Sequence, residues 1–338
     1  MLKKLTESFG VSGYEAEVRN IIMKELENCE VDISVDSMGN MLVFKLAEEP
    51  SDAKTILLSA HMDEVGFIVT DITDDGYIKF SSIGGIDPRI LISKRVCVDG
   101  RKGVIGLKPI HLTTKEERKK TPNQDELFVD IGAKTKAEAE SVIEKGDYFG
   151  FDSKYMEFGS QIKAKALDDR LGCAIMIEML KKDWNVNLVC AFTVQEEVGL
   201  RGAKVAAKGI NPDYAVVIEG TTCNDMTGIP ENLRVTKSGC GAAISILDSA
   251  SKADGELVEL LISAAETRGI PWQFKASTTG GNDAGAIYLT DGGIKTTSIS
   301  VPCRYIHSPV CVMSKADYES CKKILEGFLE DCGKDERR

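Results

Sequence analysis

Histidine is scarce in this chain: His61, His111 and His307 are the only three in 338 residues. Long apolar runs are missing. No segment holds about 18 consecutive apolar residues, which argues against a membrane-spanning helix. Residues 1–8 lack the apolar stretch of a signal peptide. The ten cysteines include no C-x-x-C pair, and several, such as Cys190, lie inside apolar runs. This argues against a disulfide framework and predicts free thiols in a reduced, cytoplasmic protein. Basic residues are in deficit, 42 Lys and Arg against 53 Asp and Glu, for a net charge of −11. That balance disfavours nucleic acid or an anionic membrane as a partner. Internal repeats and low-complexity segments are also absent.

What is present reads as two intertwined textures. The length allows two domains. In the first texture, strands and helices alternate. Ser12 and Glu15 have capping-box spacing ahead of a helix carrying Val18, Ile21, Ile22 and Leu26. Residues 31–47 alternate as two strands around Met38-Gly39-Asn40, with Asp36 as a turn residue. Apolar runs at 55–60, 188–194 and 214–218 predict buried strands, 295–301 reads as a further strand, and helices are expected at 168–182, 202–208, 256–268 and 315–332. The second texture fills residues 67–162, where short β-rich runs are separated by Asp-Gly and Gly-Gly turns. The expected fold is therefore α/β: a mixed sheet flanked by helices (residues 1–66 and 163–338) with an inserted small β-barrel or sandwich (67–162). The charged stretch 113–126 is read as a mobile loop.

Chemistry-bearing residues collect at strand ends. His61, Glu196, Glu197, Glu219 and His307 all sit at or just beyond the carboxyl ends of predicted strands, where open α/β sheets bind ligands. Asp63 lies two residues after His61, a position from which a carboxylate can orient a ligating imidazole. Asp168-Asp169 could be simple helix capping, but a carboxylate at Asp168 can also offer one oxygen to each of two ions. Glu196-Glu197 follows an almost wholly apolar strand, which disfavours a merely solvated pair. Histidine and carboxylate together suit zinc or cobalt, so the constellation predicts a two-metal hydrolase. His111 has no acidic neighbour and is assigned a structural role. Gly280-Gly281-Asn282-Asp283-Ala284-Gly285 lacks G-x-G-x-x-G spacing and reads as a pocket-lining loop.

Gly10-Val11-Ser12-Gly13-Tyr14-Glu15, Asp36-x-x-Gly39-Asn40, Ala60-His61-Met62-Asp63-Glu64-Val65-Gly66, Asp130-Ile131-Gly132-Ala133, Ala166-Leu167-Asp168-Asp169-Arg170, Gln195-Glu196-Glu197-Val198-Gly199 and Arg304-Tyr305-Ile306-His307-Ser308 occur in this order along the chain. Together they resemble the glutamyl aminopeptidase family of cobalt- or zinc-dependent aminopeptidases, which includes tetrahedral particles and proteins named endoglucanase M. The resemblance implies two divalent ions per subunit. Asp168 bridges them, His61 and Glu219 complete one site, and Glu197 and His307 the other. Glu196 is then the general base and Asp63 orients His61. Many relatives carry Asp at the position of Glu219 and Thr at that of Asn282. Short peptides are the implied substrates, and a homo-oligomer, a twelve-subunit dodecamer built from dimers, is the implied assembly; the β-rich insertion at 67–162 is the expected contact module. A glycoside hydrolase and a silent binding protein are the alternatives. The preferred N-terminal residue, and zinc against cobalt, stay open.

Overall fold

A computed structural model describes residues 1–98, 100–278 and 280–334. The strands are β1 (Asp32–Val35), β2 (Met41–Lys45), β3 (Thr55–His61), β4 (Gly66–Ile72), β5 (Ile78–Ile83) and β6 (Arg95–Val98). They continue as β7 (Arg101–Gly106), β8 (Phe128–Asp130), β9 (Tyr148–Phe151), β10 (Met156–Phe158), β11 (Gln161–Ala164) and β12 (Asn187–Thr193). The last are β13 (Tyr214–Thr222), β14 (Ala242–Ile244), β15 (Trp272–Phe274), β16 (Thr296–Arg304) and β17 (Cys311–Ser314). The helices are α1 (Leu2–Glu7), α2 (Ala16–Leu26), α3 (Lys136–Glu140), α4 (Leu167–Leu180), α5 (Ala203–Ala206), α6 (Gly255–Glu266), α7 (Ala284–Ile287) and α8 (Lys315–Lys334).

One large mixed sheet runs β1-β2-β12-β3-β13-β16-β17-β11-β10, with β14 and β15 attached beside β16. Its centre, β12-β3-β13-β16, is parallel. Of those strands, β3, β12 and β13 are covered on both faces and read as near-continuous apolar runs, not alternations. On one face Ile56, Leu58 and Ala60 pack against α1, α2, α4, α6 and α8. On the other, Leu57, Val189, Ala191, Ala215 and Val217 pack against α5 and α7.

The inserted strands close a barrel in the order β4-β5-β8-β7-β6-β9. Phe67, Phe80, Phe149 and Phe151 fill it, with ring centroids 5.0 to 5.7 Å apart. The strands β10 and β11, which the sequence reading assigned to the insertion as far as residue 162, instead join the large sheet through β17. Their alternation is indistinguishable locally from that of a barrel strand. Only the pairing partner separates them.

Three local expectations are corrected. The helix α1 precedes the first anticipated one. The helix α2 has no side-chain cap, because Ser12 and Glu15 spend their oxygens elsewhere. Within the charged stretch 113–126, the 3-10 turns Glu117–Lys119 and Gln124–Glu126 form, the second closed by a capping box from Asn123 and Glu126. Lys79 Nζ anchors this stretch on the carbonyls of Asp125 and Leu127, at 2.6 and 3.1 Å. Among the described residues no helix is long and apolar enough to cross a membrane. The ten cysteines are free and mostly buried, as expected.

Candidate metal centre

The sheet edge gathers the predicted residues. His61 is the last residue of β3, and Glu196 and Glu197 lie just beyond β12. Glu219 is inside β13 and not after it, because pairing with β16 carries that strand on to Thr222. Asp168 sits at the mouth of α4, where Asp168 and Asp169 have non-helical backbone angles and the peptide between them is cis. His307 follows β16 with a φ of 57°.

Asp168 is central. Its Oδ1 lies 3.5 Å from His61 Nε2, and its Oδ2 lies 3.7 Å from His307 Nε2. His61 Nε2 also faces Glu219 at 3.7 Å and Glu196 at 3.9 Å. His307 Nε2 faces Glu197 at 3.3 Å. The trios His61, Asp168, Glu219 and Asp168, Glu197, His307 each bring ligand atoms within 4.8 Å of one another, as does His61, Glu196, Glu197.

Hydrogen bonding decides the imidazole tautomers. His61 Nδ1 is 3.1 Å from the carbonyl of Asp63, and His307 Nδ1 is 2.8 Å from the carbonyl of Gly85. A carbonyl only accepts, so each Nδ1 carries a proton and each Nε2 is turned towards carboxylates. A lone pair cannot face carboxylate oxygens without a proton or a cation between them. His61 Nε2 and Glu219 Oε1 are buried with no hydrogen-bond partner. The donor set therefore fits divalent cations of the zinc and cobalt type.

Electrostatics point the same way. Burial and then the acidic neighbours Asp283, Glu197 and Asp168 push Glu196 up to about 9, against the pull of His61. Burial likewise raises Glu197 to about 7 and Glu219 well above the carboxylate range. Burial alone would lower His307, but Asp168 and Glu197 carry it to about 9. Burial also opposes ionisation of Asp168, yet the facing imidazoles of His307 and His61 hold its carboxyl below the usual range. Crowded buried acids of this kind need protons or cations to be tolerated.

Further polar residues surround this cluster. The Asp63 carboxylate accepts from Ser12 Oγ at 2.6 Å and from the amides of Glu196 and Glu197 at 3.0 and 3.2 Å. Asp283 is buried and accepts from Thr193 Oγ1 at 2.6 Å; burial raises it to about 6. The glycine-rich stretch thus turns inward from Asn282 onward, where residues 282–287 are buried. Asp36 is a turn residue as expected, accepting the amides of Met38, Gly39 and Asn40. His111 fills no core position: it is exposed in the 3-10 turn Ile110–Leu112.

The chain resembles known proteins over nearly its whole length. Residues 39–324 match the M42 glutamyl aminopeptidase family. A putative aminopeptidase of Acetivibrio thermocellus is 38% identical over 328 residues, covering 96% of each chain. An aminopeptidase structure from the archaeon Desulfurococcus kamchatkensis aligns with a TM-score of 0.92 and 37% identity, over 98% of this chain and 93% of that one. A TET peptidase of Pyrococcus horikoshii, described as able to assemble into a tetrahedron or a large octahedral shell, aligns at 0.87 with 35% identity, over 98% of each chain. On the extent of these matches, the chain belongs to the M42 glutamyl aminopeptidase family, hydrolases that act on peptide bonds.

Proposed function

We propose that the protein is a dinuclear metal-dependent aminopeptidase that removes N-terminal residues from short peptides. The observation that carries this reading is the placement of the two Asp168 oxygens, one towards the Nε2 of each histidine, at 3.5 and 3.7 Å. His61, Glu219 and Asp168 would hold one divalent ion, and His307, Glu197 and Asp168 the other. Zinc and cobalt both suit this set. Bound there, the ions supply Lewis-acid polarisation of the scissile carbonyl and make attacking water more acidic.

The chain's own groups do the rest. Glu196 stands beside the ligand positions without being needed as one, its Oε2 3.9 Å from His61 Nε2. It takes the proton of the attacking water and returns it to the departing amine. Asp63 holds His61 in its Nδ1–H tautomer through its carbonyl, and its carboxylate lies 3.4 Å from the same nitrogen. The carbohydrate-cleaving alternative is dropped, since the family is one of peptidases.

We further infer a homo-oligomer, a dodecamer built from dimers, with the barrel as contact module. The likeness to the Pyrococcus horikoshii peptidase supports it, and so do Ile110 and Leu112, exposed by 71% and 59% on the inserted unit. Enclosed sites would admit only short, unfolded peptides.

The decisive experiment is metal counting on the purified protein alongside turnover of aminoacyl anilides, before and after chelation. Two ions per chain, with activity lost on chelation and restored by zinc or cobalt, is the expected result. Full activity in metal-free protein would overturn the reading.

A further inference from the structure

Four consecutive backbone amides at the exit of β12 each donate to a side chain from the first 63 residues. Val194 N donates to Asn40 Oδ1 at 3.0 Å and Gln195 N to Glu15 Oε1 at 3.2 Å. Glu196 N donates to Asp63 Oδ1 at 3.0 Å and Glu197 N to Asp63 Oδ2 at 3.2 Å. Asp63 is in turn held by Ser12 Oγ at 2.6 Å. All four side chains are buried.

These amides belong to a turn, not to a strand or helix. Gln195 has a φ of 56°, so neither regular structure can satisfy them. Ser12 and Glu15 have the spacing of a helix cap, yet α2 has no side-chain cap bond. Ser12 Oγ reaches residue 63, and Glu15 Oε1 accepts from the nearby Gly13 N at 2.6 Å as well as from the distant Gln195 N. Their segment is itself pinned: Ser12 N donates to the Glu64 carbonyl and Glu64 N to the Gly10 carbonyl, at 3.2 and 2.9 Å.

We propose that Ser12 and Glu15 are positioning residues for the hydrolytic site, acting through Asp63 and Gln195 to aim the Glu196 and Glu197 carboxylates. This rests on Glu196 being the general base. A carboxylate side chain swings about its own backbone, so a turn free to shift by an ångström would leave Glu196 out of reach of the water proton. Four fixed amides remove that freedom. Partners of this outer kind typically contribute about 10- to 100-fold to activity.

The test uses the metal-loaded enzyme at saturating zinc or cobalt and an aminoacyl anilide. Ser12→Val and Ser12→Thr have nearly the same shape, and only Thr keeps the hydroxyl. Ser12→Val and Glu15→Met, which remove the hydroxyl and the accepting oxygen, are each expected to lower kcat by about 10-fold or more with KM little changed, while Ser12→Thr and Glu15→Gln, which keep them, retain most of it. In a Glu196→Gln background Ser12→Val should cost little further, because the group it positions has lost its function. An equal fall in both backgrounds would reduce the role to general structure and overturn the proposal. So would wild-type kcat in Ser12→Val and Glu15→Met, even with a lowered melting temperature. If Glu196→Gln alone keeps near wild-type kcat, the base assignment fails and the positioning role falls with it. If Glu196→Gln collapses while the Ser12 and Glu15 variants do not, only the positioning role falls.

Discussion

His307 takes its orientation from Gly85: its Nδ1 lies 2.8 Å from the Gly85 carbonyl, 222 positions away in sequence. Gly85 follows β5 of the barrel. The inserted unit therefore supplies no ligand candidate of its own but aims one that belongs to the large sheet. Its neighbour Gly84 presses against the same place. A Cβ there would come within 2.8 Å of Val65 and 3.3 Å of Glu197 Cβ, at a φ of +80°.

Gly84→Ala should therefore cost stability and activity together. A left-handed backbone with a Cβ costs about 1–2 kcal/mol, before the contact with Val65 is counted. Melting curves and kcat measured on the same preparation check this. A variant that is unchanged in both would show that the Gly84-Gly85 corner can relax freely.

Glu196→Gln should keep fold and metals and lose turnover. General-base loss typically lowers kcat by about 10²–10⁴-fold. Near wild-type kcat with two ions bound would remove Glu196 from the mechanism.

Asp168→Ala should empty both ion positions, whereas His61→Ala and His307→Ala should each empty mainly one. Each histidine faces a different oxygen of Asp168. Metal analysis of the three purified variants decides it. One fully occupied position in Asp168→Ala would remove the bridge.

Divalent ions should raise the melting temperature. Ions that bind the folded state alone stabilise it by about 2.7 kcal/mol at 100 times their Kd. The effect here replaces protons on buried acids, of which Glu197 and Glu219 are both raised by burial. Calorimetry across a zinc or cobalt titration measures it. A melting point independent of metal would count against both ion positions.

Light scattering checks assembly. Particles of about twelve chains are expected at micromolar concentration with metal bound. A monomer would sink the oligomer, and a dimer would keep the barrel contact but drop the particle.

Much of the site was legible in the chain because parallel, doubly covered strands must be apolar along their whole length. The runs around 57, 190 and 216 therefore each mark a strand, the Thr-, Ile- and Val-bearing stretch around 299 marks a fourth, and the polar residue that breaks or follows each marks the sheet edge. His61, Glu196, Glu197 and His307 were found by that logic, and the structure brings them together. Tertiary pairing decided what local pattern could not. Glu219 lies inside β13 because β16 extends the ladder beyond it. The strands β10 and β11 belong to the large sheet because β17 is their partner. Ser12 and Glu15 match a helix cap by spacing, but Ser12 Oγ donates to Asp63, and Glu15 Oε1 is shared between the amides of Gly13 and Gln195. Asn123 and Glu126 do form a cap, in a stretch whose composition reads as loop. Spacing along a chain specifies which hydrogen bonds are locally possible. Which of them forms depends on the distant groups that folding buries beside it, and those groups are set by the packed sheet and barrel.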